Sequence, residues 1–142
     1  MRHKAQKRQP VKKQVAFTPE HMMRYPKRYQ VYRKDFYDCY QHTAHNQTVD
    51  FRGTVAKLDY KKGVLLQNIT VTYHDTNGVL KQGTEEHVWI RTIKPFLRTG
   101  IRVQQDITFQ GRLKPYCKYG QLDLSIWNVH NIHHIQNIQD IS

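Results

Sequence analysis

From residue 49 onward the chain alternates. Phe51, Gly53 and Val55 stand against Arg52 and Thr54, and the same period of two returns around Ile69, Val71 and Tyr73, around Val88 and Ile90, around Ile107, Phe109 and Leu113, and around Leu122, Leu124 and Ile126. Successive side chains of a strand point to opposite faces. Apolar residues at every second position therefore describe a sheet with one face in a core and the other in water. Phe51, Val55, Leu58, Ile69, Val71, Val88, Ile90, Ile107, Phe109, Leu122 and Leu124 are the expected core. A chain of 142 residues is long enough to bury one such core without disulfide or metal support.

The breaks between the runs set the element order. A first strand reaches Leu58 and Tyr60 and ends at the turn Lys61-Lys62-Gly63. Its phase shifts after Val55, which predicts a bulge near Gly53 that bends the strand. A second strand covers Val64–Tyr73, and Asp75-Thr76-Asn77-Gly78 closes a hairpin with the Asn-Gly pair that such turns favour. A third strand, about Glu86–Thr92, turns Val88 and Ile90 inward and leaves His87, Trp89 and Arg91 outward. Lys94 to Gly100 interrupts the alternation and reads as one or two helical turns closed by Gly100. A fourth strand runs from Ile101 or Asp106 to Lys114. Lys114 to Gly120 reads as a loop, and a last strand covers Gln121–Asn128, with Asp123, Ser125 and Trp127 outward.

The N-terminal third has a different chemistry. Residues 1–48 carry eleven of the 23 Lys and Arg but three of the 11 acids, and none of the seven glycines. Residues 1–14 are too polar to bury and read as a disordered basic arm. Residues 15–48 read as a basic, Tyr-rich extension with short helices: Thr18-Pro19-Glu20 is a helix start, Pro26 limits that helix, and Phe36, Cys39 and Tyr40 have helical spacing between Tyr32 and His42. The sheet domain is then 49–132, with a tail over 133–142. From the end of the sheet domain into that tail, Ile132, Ile135, Ile138 and Ile141 recur every three residues, as in a short packed helix.

The net charge of +12 calls for a polyanionic partner, nucleic acid first. No apolar run approaches the roughly 20 residues of a membrane span, and no apolar segment follows the basic start as in a secretory signal. A cytoplasmic protein that does not engage membrane is expected, with Cys39 and Cys117 as thiols.

Three strands, a helical connector and two more strands, with a long bent first strand carrying an internal glycine, is the order of the oligonucleotide-binding fold. The residues concerned are Phe51-Arg52-Gly53-Thr54-Val55, Asn68-Ile69-Thr70-Val71, His87-Val88-Trp89-Ile90, Asp106-Ile107-Thr108-Phe109, Gly111 and Lys114-Pro115-Tyr116. On these, residues 49–132 resemble the single-stranded-DNA-binding proteins of that fold, especially those of phages and mobile elements. The resemblance implies a mainly β, five-stranded Greek-key barrel. It also implies a role in replication, recombination or transfer of such an element through sequence-tolerant binding of single-stranded DNA, with RNA possible.

Such a surface needs aromatic rings that stack on bases and cations that follow phosphates. Trp89 is the leading platform, beside Arg91. Tyr116, Lys118 and Tyr119 interleave rings and charge after Lys114, and Tyr60 and Lys62 do so in the first turn. Arg52, Lys57 and Arg112 lie on outward phases. In the extension, Arg24, Lys27, Arg28, Tyr29 and Arg33 alternate with further tyrosines, which suits either a strand-gripping arm, a dock for a protein partner or a cover for one end of the sheet.

Other chemistries have weaker footing. The tightest groups with metal-binding side chains, Cys39-x-x-His42-x-x-His45 and His130-x-x-His133-His134, lack the paired spacing of structural zinc sites, and no cofactor is expected. Asp50, Asp59 and Asp106, with Arg112 as a phosphate clamp, are the only conceivable nuclease set, and a binding module rather than an enzyme is expected. The rival readings are an RNA-binding or ribosome-associated protein and a protein-interaction module or inhibitor that uses its basic face.

Overall fold

The computed structural model of the protein describes residues 18–24 and 31–136. The arm at 1–14, Lys27, Arg28 and Tyr29, and the tail beyond residue 136 lie outside the described residues. The order is α1 (Pro19–Arg24), α2 (Lys34–His42), β1 (Val49–Asp59), β2 (Gly63–His74), β3 (Leu80–Ile90), α3 (Lys94–Arg98), β4 (Asp106–Lys118) and β5 (Gln121–His134). The five strands form one antiparallel sheet in the order β3-β2-β1-β4-β5, so the protein is mainly β and β3 and β5 are the sheet's edges. Among the described residues no helix is long and apolar enough to cross a membrane.

The alternation does what the sequence asks of it. Phe51, Val55, Ile69, Val71, Val88, Ile90, Ile107, Phe109, Leu122 and Leu124 are buried on one face. The register of β1 against β2 slips between Arg52 and Thr54 and again between Val55 and Lys57, which is the expected bend near Gly53. Four phenylalanines run through the core: Phe36 of α2 meets Phe51 edge-on at 5.8 Å, Phe51 stacks on Phe109 at 5.1 Å, and Phe96 of α3 meets Phe109 edge-on at 6.0 Å. Ring pairs in these geometries add to the free energy of burying their area. Phe36, Met22 and Cys39 share this core, so the extension supplies part of it. Burial pushes the Cys39 thiol up to about 12. At the N-terminus of α1, Thr18 Oγ1 accepts the His21 N–H, as its capping role predicts.

Three expectations are corrected. β3 begins at Leu80 rather than Glu86, because its first half pairs with Ile69 to His74 of β2 while its side chains stay in water or meet α2, which hides the alternation. Lys114 to Lys118 continue β4, opposite Gln121 to Ser125, and the connection is reduced to Tyr119 and Gly120, both at positive φ. Such a pair makes the tight two-residue turn of a hairpin. Ile132 is a buried strand residue rather than part of a helix, and the Ile135 N–H donates to the Asp106 carbonyl. Asn128 and Asn131 of β5 stand at φ 54° and 52°, and Ile138 and Ile141 lie outside the described residues.

Candidate nucleic-acid interface

On the face of the sheet away from the core, the register fixes which side chains are neighbours. Lys57 of β1 lies opposite Leu65 of β2, and Leu65 lies opposite Trp89 of β3. Trp89 is half-buried in this row, with the Lys62 ammonium 5.9 Å from the centre of its ring. Lys62 is held there by the turn: the Asp59 carboxylate accepts the N–H groups of Lys61 and Lys62, and these bonds hold its pKa below the usual carboxylate value. Gly63 completes the turn at φ 102°, and a Cβ at this position would lie 1.9 Å from the Ile90 carbonyl oxygen. Only glycine fits there. Tyr60, 82% exposed, projects from the tip.

A second ring and cation sit on β4 and β5. Trp127 lies opposite Arg112, is half exposed, and has the Lys114 ammonium 4.2 Å from its ring centre. Its indole N–H donates to Ser125 Oγ, which in turn donates to the Lys114 carbonyl, so the ring is held at the surface by its own strand pair. At the hairpin tip Tyr119 is almost fully exposed, with the Lys118 ammonium 5.8 Å away. Trp127 was not among the expected site residues, although its outward phase in the last strand was the available signal.

Between these regions, residues of the extension join the two edges of the sheet. Tyr32 N–H donates to the Leu122 carbonyl of β5. Arg33 donates from Nε and Nη2 to the His87 carbonyl of β3 and from Nη1 to the Asp123 carboxylate of β5. Two residues on, the Asp35 carboxylate accepts the Thr84 N–H, while the Glu85 carboxylate accepts the N–H groups of Asp35 and Phe36 and so caps α2. Tyr116 donates its hydroxyl to Asp123 as well, and burial, then this bond and the Asp123 charge, push the phenol up to about 12. Arg33 and Tyr116 are thus committed to a seam between β5 and β3. The Arg33 and Arg91 charges act on the same phenol in the opposite direction.

The remaining expected residues fall as follows. Arg91, at the end of β3, is exposed, and so are Lys57, Lys62 and Lys114; Arg112 is half-buried. Arg24 is exposed on α1, whose Met22 Sδ lies 3.1 Å from Cys117 Sγ. Arg52 is exposed in the middle of the outer face. With Asp50, Thr70, Thr72, Gln110 and Asn131, Arg52 lines an open groove of about 870 Å³. There Gln110 Nε2 donates to Asp50, and Asn131 Nδ2 donates to Gln110 Oε1.

The other chemistries find no gathered site. Asp50, Asp59 and Asp106 are held in separate hydrogen bonds, Asp106 by Thr54. Among the described residues no three His, Cys, Asp or Glu side chains gather as metal ligands. Comparison of the chain with protein-family models, with curated proteins and with solved structures finds no match.

Proposed function

We propose that this protein binds single-stranded nucleic acid, DNA in the first place, on the outer face of an oligonucleotide-binding fold whose last seam is closed by its N-terminal extension. It acts by binding rather than catalysis, in the cytoplasm, in replication, recombination or transfer of a phage or mobile element. The strand order, with β1 between β2 and β4 and a short helix between β3 and β4, supports that fold, and the Arg33 bridge between β3 and β5 supports its closure.

One observation carries the functional reading: two indoles on the outer face, Trp89 and Trp127, have a lysine ammonium 5.9 and 4.2 Å from the ring centre. A nucleotide pairs a flat apolar base with an anionic phosphate about one side chain away. A ring with an adjacent ammonium complements both parts at once, whatever the base. Tyr60, Arg91, Lys118 and Tyr119 extend the same chemistry, and the net charge of +12 supplies long-range attraction to a polyanion.

The test is titration of the protein with labelled single-stranded DNA, single-stranded RNA and duplex DNA at two salt concentrations. Single strands are expected to bind more tightly than duplex, with affinity falling as salt rises because phosphate contacts release counterions. Trp89→Ala and Trp127→Ala should each weaken single-strand binding by roughly 1–3 kcal/mol, the value of one stacked base, with unchanged melting temperature. Equal affinity for duplex and single strands, or no loss in either variant, would overturn the reading.

A further inference from the structure

The groove on the outer face differs from the ring and cation pairs in having no exposed aromatic and a carboxylate at its centre. Across the sheet, Gln82, Thr72, Asp50 and Gln110 stand in one row, and Thr84, Thr70, Arg52, Thr108 and His133 in the next. Every one of these side chains carries hydrogen-bonding groups. The groove is continuous with the Trp89 platform along β2, whose outward residues run from Leu65 beside Trp89 to Thr70 and Thr72. Leu65 and Thr70 are five steps apart, about 17 Å along the strand, so a strand stacked on Trp89 reaches the groove within a few nucleotides.

The charge pattern decides which part of a nucleotide enters. An ionised carboxylate repels phosphate and accepts hydrogen bonds only. Asp50 is exposed, and one of its oxygens, Oδ1, takes the Gln110 amide at 3.0 Å; Gln110 is itself fixed by Asn131 at 2.6 Å. Arg52, two residues along the same strand and on the same face, presents donors beside this acceptor. An acceptor next to donors complements a base edge that carries an amino group next to ring acceptors. Cytosine has that edge. Thymine and uracil present a carbonyl oxygen at C4 where cytosine has its amino group, and that oxygen would face the carboxylate.

Resting on the proposed single-strand binding, we infer that this groove is a base-reading subsite that favours bases with an exocyclic amino group, with Asp50 as the acceptor and Arg52 as the donor. The preference is superposed on sequence-tolerant stacking at the two indoles.

The experiment compares oligo(dC), oligo(dT) and oligo(dU) of about 16 nucleotides, the upper end of the site covered by one such domain, at one salt concentration and neutral pH. All three are weakly stacking pyrimidine strands, and dU lacks the thymine methyl. Oligo(dC) is expected to bind at least about fivefold more tightly than either, the lower bound for one well-formed base contact. In Asp50→Asn the ratio of dC to dT affinity should collapse toward one, since an amide can turn either a donor or an acceptor to the base. Wild-type affinities within twofold of one another, with normal salt dependence, would overturn the subsite while leaving single-strand binding intact. Tighter binding of both dC and dU than dT would assign the discrimination to the methyl group and overturn it as well. Binding of none of the three would remove the subsite together with the reading on which it rests.

Discussion

Tyr116 illustrates how a single residue can carry a pattern that two different roles share. In the sequence it sits among Lys114, Lys118 and Tyr119, a mixture of rings and charge that suits a strand-binding loop. In the folded protein its hydroxyl is 2.7 Å from Asp123, which also receives Arg33 from ninety positions away. No local spacing reveals a partner at that distance, whereas Trp89 and Val88 were legible because adjacent positions on a strand must face opposite ways. The bond has a pH signature. The phenol is raised from 10.0 to about 12, so the fold favours the neutral form. Its contribution is complete below pH 10 and is lost as pH rises from 10 to about 12. Tyr116→Phe should therefore flatten the fall in melting temperature over that interval relative to wild type. Identical alkaline profiles would show that the bond contributes nothing.

At the scale of elements, most strands and the two short helices of the extension were legible, and the contacts of the extension with the sheet were not. Period-two apolar residues locate β1, β2, β4 and β5, and Asp75 to Gly78 locates the second turn, where Asp75 accepts the N–H groups of Asn77 and Val79. The first half of β3 escaped because its partners are backbone, and its exposed or α2-facing side chains carry no alternation. Ile132 belongs to β5, while Ile138 and Ile141 of the expected helix lie outside the described residues. The segment from Val31 to Phe36 is read only in three dimensions, since its work is done by polar groups on the edges of two strands. Arg33 and Asp123 are largely covered, with side-chain exposures of 14% and 12%. Removing one partner strands the other charge away from water, so Arg33→Ala should lower unfolding free energy by about 3 kcal/mol in urea titration. Arg33→Lys should recover little, because an ammonium cannot reproduce the fork that holds both Asp123 and the His87 carbonyl. A loss in Arg33→Ala below about 0.5 kcal/mol, the range of ordinary surface substitutions, would mean that the seam does not depend on this residue.

For the whole molecule, charge is the most exposed property. Six of the 23 cations, Arg2, Lys4, Lys7, Arg8, Lys12 and Lys13, lie in residues 1–14. Deleting them should flatten the dependence of single-strand affinity on salt, because each phosphate contact on a single strand contributes about 0.7 to the slope, while leaving the melting temperature in place. A large drop in melting temperature would put this segment in the core instead. The seam also bears on the order in which the protein can be made. A ribosome releases Arg33 90 positions before Asp123, so the residue pairs that join the two edges cannot form until β5 has emerged. Throughout that interval β3 is a sheet edge without the groups that cover it, and such an edge is a template for pairing with other chains. The time for which this edge stands uncovered therefore lengthens as synthesis slows.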